Sequence, residues 1–352
     1  MGKRNGSLIG KKNVGAATTA TYNASGIWGL NDTQRVMGED NSSTLKSKIQ
    51  IQYLLVGGGG GGGGSTVNNY RGGGGGGGGM KEGTLILDSG TSVYVRIGEG
   101  GTGGNNQYPG GTGQDSRLET TQVEINAWGG GHGKGYNPAP DNDKWGASGG
   151  GLNNYAGASE QAHIGYVNQG NPGGQLYTGN MTTYPSSNQS AAGGGGAGDK
   201  GGDAGVSSAG NGGIGRMSYI SGAGVYYGGG GGGGARDGHS GGSGGAGGGG
   251  AGGQAPSQTS TTAAADGGDG QVNTGGGGGG AATGSNAQNA STGYGGNGGR
   301  GVIILRFPQS VTFTESGSGS LTYSGPNPVP GTVDERYYTF TQGAKNIVFN
   351  IT

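Results

Sequence analysis

The 352-residue chain has 101 glycines, no cysteine and a formal net charge of zero from 20 basic and 20 acidic residues, and only 28% of it is hydrophobic. Neutrality removes the basic surface that a nucleic-acid binder needs, and the lack of cysteine excludes disulfides and thiolate metal sites. So much glycine is typical of disorder, because little apolar surface remains to offset the entropy lost on ordering.

The N-terminal segment, residues 1–48, is polar and has no clear period. Its one apolar knot consists of Ile27, Trp28 and Leu30. We predict that this knot docks, either against the core of this chain or against a neighbouring subunit. The first 30 residues lack an apolar signal-peptide core and the chain has no 18-residue apolar stretch, so we expect no secretory signal and no membrane insertion.

Apolar strands are predicted at both ends of the glycine-rich region. Residues 49–56, IQIQYLLV, alternate at first and end continuously apolar, which indicates a strand that becomes buried along its length. Eight glycines follow at residues 57–64, and the region ends in the apolar strand GVIILRF at residues 301–307. We predict that these two strands pair and close a domain that spans residues 49–308.

Further strand signals lie inside and after this domain. Residues 84–98 alternate on both sides of Asp88-Ser89-Gly90, which predicts a hairpin. Residues 123–127 form another short strand pattern that runs into glycine. The last part of the chain, residues 309–352, has two alternating stretches separated by turn residues, and we predict a small β subdomain there.

Residues 129–190 differ from the rest of the domain because tyrosine, asparagine and serine separate single glycines. This mixture is typical of binding loops, in which rigid rings give contact area and small polar residues adapt their hydrogen bonds. The alternative is that the rings cover the glycine segments as a lid. The candidate receptor-binding residues are Tyr136, Trp145, Tyr155, Tyr166, Tyr177 and Tyr184.

The glycine runs predict a bundle of polyglycine II helices. This conformation has three residues per turn and directs every backbone N–H and C=O outward, so helices without Cβ atoms can approach and bond directly. Collagen would need glycine at every third place with proline between, and a flexible linker would not need strands around it. The predicted fold class is therefore all-β and irregular, with short β-strands framing packed polyglycine II helices and no substantial α-helix.

No motif in the chain indicates catalysis, and we expect no cofactor and no metal. His132, His163 and His239 are far apart in sequence and lack carboxylates at catalytic or metal-binding spacing. Asp266 and Asp269 could contact Ca²⁺, but the nonapeptide repeat that supports such sites is missing, and turn roles suit them better. The expected class is a non-enzymatic structural or binding protein.

Three stretches carry a family resemblance: ASGIWGLND at residues 24–32, QYLLV followed by eight glycines at 52–64, and GGNGGRGVIILRFP at 295–308. Together with the repeated glycine runs they make residues 24–308 similar to glycine-rich virion proteins of tailed bacteriophages, particularly marine ones. Some tail-fibre adhesins of this kind carry a sandwich of polyglycine II helices whose loops touch the host receptor. This chain differs in its longer glycine runs and its central tyrosine-rich stretch.

The resemblance implies a virion surface protein, made in the host cytoplasm, that acts as a tail fibre or receptor-binding adhesin. Its expected partners are other virion proteins and a host cell-surface receptor. Phage fibres are commonly trimeric, which would make the chain a homo-oligomer, although no coiled-coil repeat supports this. One alternative is a structural fibre or capsid-surface component without receptor binding. A remote alternative is ice binding, which needs a regular face of small residues.

Overall fold

The computed structural model of the chain describes residues 46–66, 70–137, 146–154, 164–165, 168–176, 190–257, 265–283 and 292–351. These residues contain β-strands and no helix, which confirms the all-β fold class. Residues 49–352 make up one compact unit. Its strands are β1 (Lys48–Val56), β2 (Met80–Asp88), β3 (Ser92–Arg96), β4 (Ser116–Glu119), β5 (Glu124–Ala127), β6 (Arg216–Ser218), β7 (Val225–Tyr227), β8 (Val302–Pro308), β9 (Val311–Pro328) and β10 (Glu335–Ile351).

Eight of these strands form one antiparallel sheet in the order β2-β1-β8-β10-β3-β4-β5, with β9 beside β10. β9 pairs along one whole edge of β10. On the other edge, β8 pairs with the first part of β10 and β3 pairs with the later part. The sheet thereby curls around an apolar core of residues from both halves. This core includes Ile49, Ile51, Leu55, Val93, Val95, Ile303, Leu305, Phe340, Ile347 and Phe349.

The predicted pairing of the two strands that border the glycine-rich region is confirmed. β1 and β8 are antiparallel partners, with Leu55 opposite Ile303 and Val56 opposite Val302. Alternate residues of both strands enter the apolar core, while Leu54, Val56 and Ile304 face the other way and pack with Tyr227 of β7. Closure of the sheet therefore also fixes the base of the glycine-rich region.

The predicted hairpin over residues 84–98 is wrong in its pairing. The turn forms as expected, with Gly90 at a φ of 84° and its N–H donating to the Phe349 oxygen at 2.8 Å. However, β2 pairs with β1, and β3 pairs with β10 and β4. The turn carries the chain from β2, at one edge of the sheet, to β3, which lies between β10 and β4.

The C-terminal residues are in strands as expected, and these strands complete the sheet that contains β1 and β8. β10 changes partner from β8 to β3 around Gly343, whose φ is 97°. In β9, Gly317 and Gly319 also have positive φ values, and they lie near the partners of Ala344 and Asn346. Register shifts between β9 and β10 accompany these glycines, so the long hairpin can bend and serve both halves of the sheet.

The glycine run at residues 57–64 makes hydrogen bonds with a period of three. Gly57, Gly60 and Gly63 donate in turn to the oxygens of Gly79, Gly76 and Gly73 at 2.9 Å. The intervening glycines donate with the same period to two other segments, residues 108–114 and 293–299. Their carbonyl oxygens accept from three further segments, which lie within residues 101–104, 130–133 and 278–281. The run is thus enclosed by hydrogen-bonded backbone on all sides.

Such interior positions are occupied by the glycine runs at residues 57–64, 72–79, 193–196, 228–234 and 275–280. They need glycine at every position because the neighbouring backbone leaves no room for a Cβ atom. At Gly61, for example, an added Cβ would lie 2.5 Å from the carbonyl carbon of Thr102. We call these runs and the segments around them the glycine lattice.

Segments at the surface of the lattice carry a side chain at every third position. Glu99, Thr102 and Asn105 form one such row, and Tyr294, Asn297 and Arg300 form another, with two glycines between successive members. The third residue points away from the lattice, so it alone has space for a side chain. The period of three is what polyglycine II geometry requires, although the helical assignment itself stays a prediction.

Aspartate and asparagine side chains complete the hydrogen bonds of these surface rows. The Oδ1 atoms of Asp266 and Asp269 accept the backbone N–H groups of Tyr294 and Asn297, each at 2.7 Å. In the same way Asn297 Oδ1 accepts the Gly103 N–H at 2.9 Å. An outward N–H has no further glycine segment to bond, so a neighbouring side chain takes the place of a carbonyl.

Candidate functional site

The lattice has a base at the sheet and an opposite end, which we call the tip. The chain leaves β1, runs through residues 57–64, turns, and returns through 72–79 to β2, so the turn lies away from the sheet. The turn at residues 104–109 between β3 and β4 lies at the same end. The tip therefore consists of turns held on a hydrogen-bonded scaffold, a common position for binding residues.

Aromatic side chains meet at the tip. The rings of Tyr70 and Tyr136 stack with centroids 4.0 Å apart and an interplanar angle of 23°. Tyr136 is 36% exposed, and Tyr108 on the adjacent turn is 52% exposed. The segment that carries Tyr136 is tied to the turn at residues 104–109, because the Asn137 N–H donates to the Gln107 oxygen at 2.8 Å. The three tyrosines thus come from turns that backbone hydrogen bonds hold side by side.

Positive charge lies next to this aromatic pair. Arg71 follows Tyr70 and is only 1% exposed. Burial lowers the pKa of its guanidinium to about 10, while the nearby charge of Asp237 raises that pKa and Arg236 lowers it. Arg71 therefore remains a cation at neutral pH. Lys134 is close to the same segment, since its oxygen accepts the Gly73 N–H at 2.9 Å.

Two asparagines fix the backbone around these residues. Asn154 Oδ1 accepts the Arg71 N–H at 2.8 Å, and Asn153 Nδ2 donates to the Gly135 oxygen at 2.7 Å. Both side chains are buried. The turns that carry Arg71 and Tyr136 are thereby attached to a lattice segment rather than held only by their own contacts.

The tip and the base expose different large side chains among the described residues. At the tip these are all tyrosines: Tyr108, Tyr136 and Tyr294. Near the sheet and the base turns they include aliphatic residues as well, among them Ile86, Val123, Ile214, Val225, Val272, Val333 and Ile351. The two ends of this unit therefore offer different surfaces, one amphipathic and aromatic, the other more apolar.

The structure describes one of the predicted receptor-binding residues, Tyr136, and places it at the tip. The other five, Trp145, Tyr155, Tyr166, Tyr177 and Tyr184, lie outside the described residues, as does the predicted docking knot of Ile27, Trp28 and Leu30. The described residues that flank several of these stretches, including Asn137, Asn154 and Ser190, are at the tip. The described parts of residues 129–190 belong to the glycine lattice.

Sequence reasoning missed Tyr70 and Tyr108 because each stands alone beside a glycine run. The period of three in the surface rows was an available signal: it separates outward positions from enclosed ones. Turns that join segments leaving and re-entering strands of one sheet also lie at the end away from that sheet. Those two rules together would have brought Tyr70 and Tyr108 to one end.

The remaining candidates for chemistry have structural surroundings. His132 is buried, with Nδ1 3.3 Å from the Gly133 oxygen. Asp266 and Asp269 accept backbone N–H groups, as described above. Within the described ranges no three His, Asp or Glu residues cluster as metal ligands would. No helix there is long and apolar enough to span a membrane.

A family model described as a glycine-rich domain matches residues 33–308, more than half of the chain. No curated protein matches the sequence. The matched range begins in the polar N-terminal segment and ends at the last residue of β8.

Proposed function

The chain belongs to the glycine-rich domain family, and from that premise we propose that it is a non-enzymatic virion surface protein, a tail fibre or adhesin whose tip binds a host receptor. The observation that carries the proposal is the difference between the two ends of the lattice. Among the described residues, the exposed large side chains of the tip are tyrosines, whereas the base exposes aliphatic side chains as well as aromatic ones.

A rigid scaffold suits this role. Hydrogen bonds fix the backbone on both sides of each tip turn, so exposed rings lose little conformational freedom when they bind. The apolar base is a surface of the kind that packs against other proteins, which here would be neighbouring virion components. In this proposal the base attaches the chain to the particle and the tip faces the host.

The test is the binding of the purified, labelled full chain to intact candidate host cells, with whole virus as competitor. Saturable binding that blocks infection is the expected result. Tyr136→Ala should weaken that binding, while Tyr226→Ala, a change of the same kind at a 40% exposed tyrosine of β7, should not. Absence of binding by a folded protein that antibodies detect on particles would refute receptor binding and favour a structural component.

A further inference from the structure

We propose that two copies of the chain pair through the outer edge of β9, at residues 320–324, and form a two-fold symmetric dimer. This inference goes beyond the proposed function and does not depend on it. Three observations carry it: a strand edge without a partner among the described residues, a neutral sequence along that edge, and a side-chain pattern that is complementary to itself.

The outer edge of β9 is open. β10 occupies the other edge of this strand, and no other described strand pairs with β9. Residues 320–324 are five consecutive residues that each have a partner in β10, and all of them are exposed except Leu321, which is half-buried. An open strand edge is a template for another strand, because its backbone N–H and C=O groups have no partner in the sheet.

The backbone groups of Leu321 and Tyr323 point to this open edge. The Gly343 oxygen of β10 accepts the Ile97 N–H at 3.0 Å, so Gly343 directs its backbone groups away from β9. Leu321 is opposite Gly343, and in such an antiparallel pair both residues point away from each other. Thr322 points back, since its oxygen accepts a threonine hydroxyl of β10 at 3.2 Å. Because this direction alternates along a strand, Tyr323 points outward as Leu321 does.

β9 lacks the charges that protect the other edges of the sheet. The strands at the two ends of the sheet order carry charged residues: Lys81 and Glu82 in β2, and Glu124 in β5. Charged side chains on an edge strand oppose its pairing with another chain. Residues 316–333 contain no charged residue, so two copies of the chain can approach along this edge without repulsion.

The outward backbone groups define the register of the dimer. Two antiparallel copies of residues 320–324 have Thr322 on the two-fold axis, and Leu321 then lies opposite Tyr323 of the second copy. These are the residues whose N–H and C=O groups point outward, so each of the two symmetric pairs exchanges two backbone hydrogen bonds. One strand thereby supplies both sides of the interface, as two-fold symmetry requires.

Both faces of the strand fit this register. Leu321 and Tyr323 lie on the core side of β9, and Tyr323 is still 39% exposed, so Leu321 of the second copy can cover part of its ring. On the other side Thr322 meets Thr322, and Ser320 meets Ser324. Directly opposite hydroxyl residues of this kind form hydrogen bonds across antiparallel strands.

The direct experiment measures the mass of the purified full chain by analytical ultracentrifugation over a range of micromolar concentrations. The unaltered chain should change from one copy to two as the concentration rises. Thr322→Lys sets two like charges opposite each other on the axis and should weaken association about tenfold or more, and added salt should restore part of it. The control is Thr102→Lys, the same change at an exposed threonine of the lattice surface, which should associate as the unaltered chain does. Circular dichroism and the melting temperature establish that each variant is folded.

Single cysteines locate the axis, because the chain has no cysteine of its own. In the proposed register Thr322→Cys brings two Cα atoms to about 4.5 Å, within the range of about 4.4–6.8 Å that a disulfide spans. Oxidised glutathione should therefore link this variant into a covalent dimer. Thr314→Cys, an exposed position on the same face of β9, should not cross-link under the same conditions.

The outcomes that contradict the dimer are distinct from failure of the proposed function. A chain that stays a single copy at every concentration would overturn the inference, and so would a dimer that Thr322→Lys does not weaken. Equal cross-linking of Thr314→Cys and Thr322→Cys would indicate random collision and would overturn it as well. Host-cell binding is a separate measurement, because none of these variants alters the tip.

Discussion

Replacing Gly61 with alanine tests whether steric exclusion, rather than backbone flexibility, requires glycine inside the lattice. Gly61 is in the enclosed run of residues 57–64, and its φ is outside the left-handed region that disfavours other residues. Conformational entropy alone would therefore make Gly61→Ala stabilising, by about 0.4–1 kcal/mol. Any loss of stability must come from packing.

The packing loss follows from the neighbouring atoms. The new Cβ would lie 2.5 Å from the carbonyl carbon of Thr102 and closer still to its oxygen, and both belong to backbone that cannot rotate away. Separating the segments strains two hydrogen bonds, from the Gly61 N–H to Gly111 at 2.9 Å and from the Gly133 N–H to Gly61 at 2.8 Å. Overpacking costs about 1–3 kcal/mol and each buried unpaired group about 1–3 kcal/mol. We expect a total loss of about 4 kcal/mol or more.

Urea unfolding followed by circular dichroism measures this loss. The matched control is Gly268→Ala, because Gly268 is an exposed lattice glycine whose added Cβ would come no nearer than 3.3 Å, to Ala251. Its φ is also outside the left-handed region, and we expect a change within about 1 kcal/mol. If the free energies of unfolding of the two variants differ by less than about 1 kcal/mol, close backbone packing does not explain the glycine runs.

Three further predictions concern other parts of the fold. Asp269→Ala removes the acceptor of the Asn297 N–H and should lower the free energy of unfolding by about 0.5–1.5 kcal/mol. Asp269→Asn keeps an acceptor and should lower it less. Equal losses in the two variants would contradict the role of Asp269 as this acceptor. Leu55→Ala in the core should cost about 2–5 kcal/mol in the same assay, whereas Ile86→Ala at 65% exposure should stay within about 0.5 kcal/mol. Burial, with smaller effects of Tyr337 and Glu82, raises the pKa of the Tyr227 phenol above its ordinary value of 10. As pH rises above 10, the unfolded chain therefore loses this proton before the folded chain does, and the free energy of unfolding falls. Tyr227→Phe should reduce that alkaline loss in pH-dependent melting, and an unchanged loss would exclude this residue as its source.

Several elements of the fold could be read from the sequence because their signals are local. The alternation in residues 49–56 and the apolar run in 301–307 predicted β1 and β8, and mutual burial of their apolar ends predicted the pairing. The turn at Ser89-Gly90 was also correct, since Asp, Ser and Gly together favour it. Strand partners are not local: β3 pairs with residues about 250 positions later in the chain, which no hairpin signal can indicate.

For the candidate site, composition indicated a tyrosine- and asparagine-rich surface, and Tyr136 was among the predicted residues. Tyr70 and Arg71 were not, because a single aromatic or charged residue between two glycine runs has no pattern of its own. Only the packing of distant segments brings Tyr70 against Tyr136 and buries Arg71 beside Asp237.

The sequence by itself determined that this chain would be a glycine-rich, all-β scaffold, because runs without side chains can gain order only through backbone hydrogen bonds between segments. It also indicated that unbroken glycine runs can be enclosed, since an added Cβ atom would clash with the neighbouring backbone there. The tertiary structure decided which segments are neighbours and which turns share the tip. Backbone hydrogen bonds between glycines are chemically identical, so their partners depend on the sheet that aligns the segments and on the turns that join them.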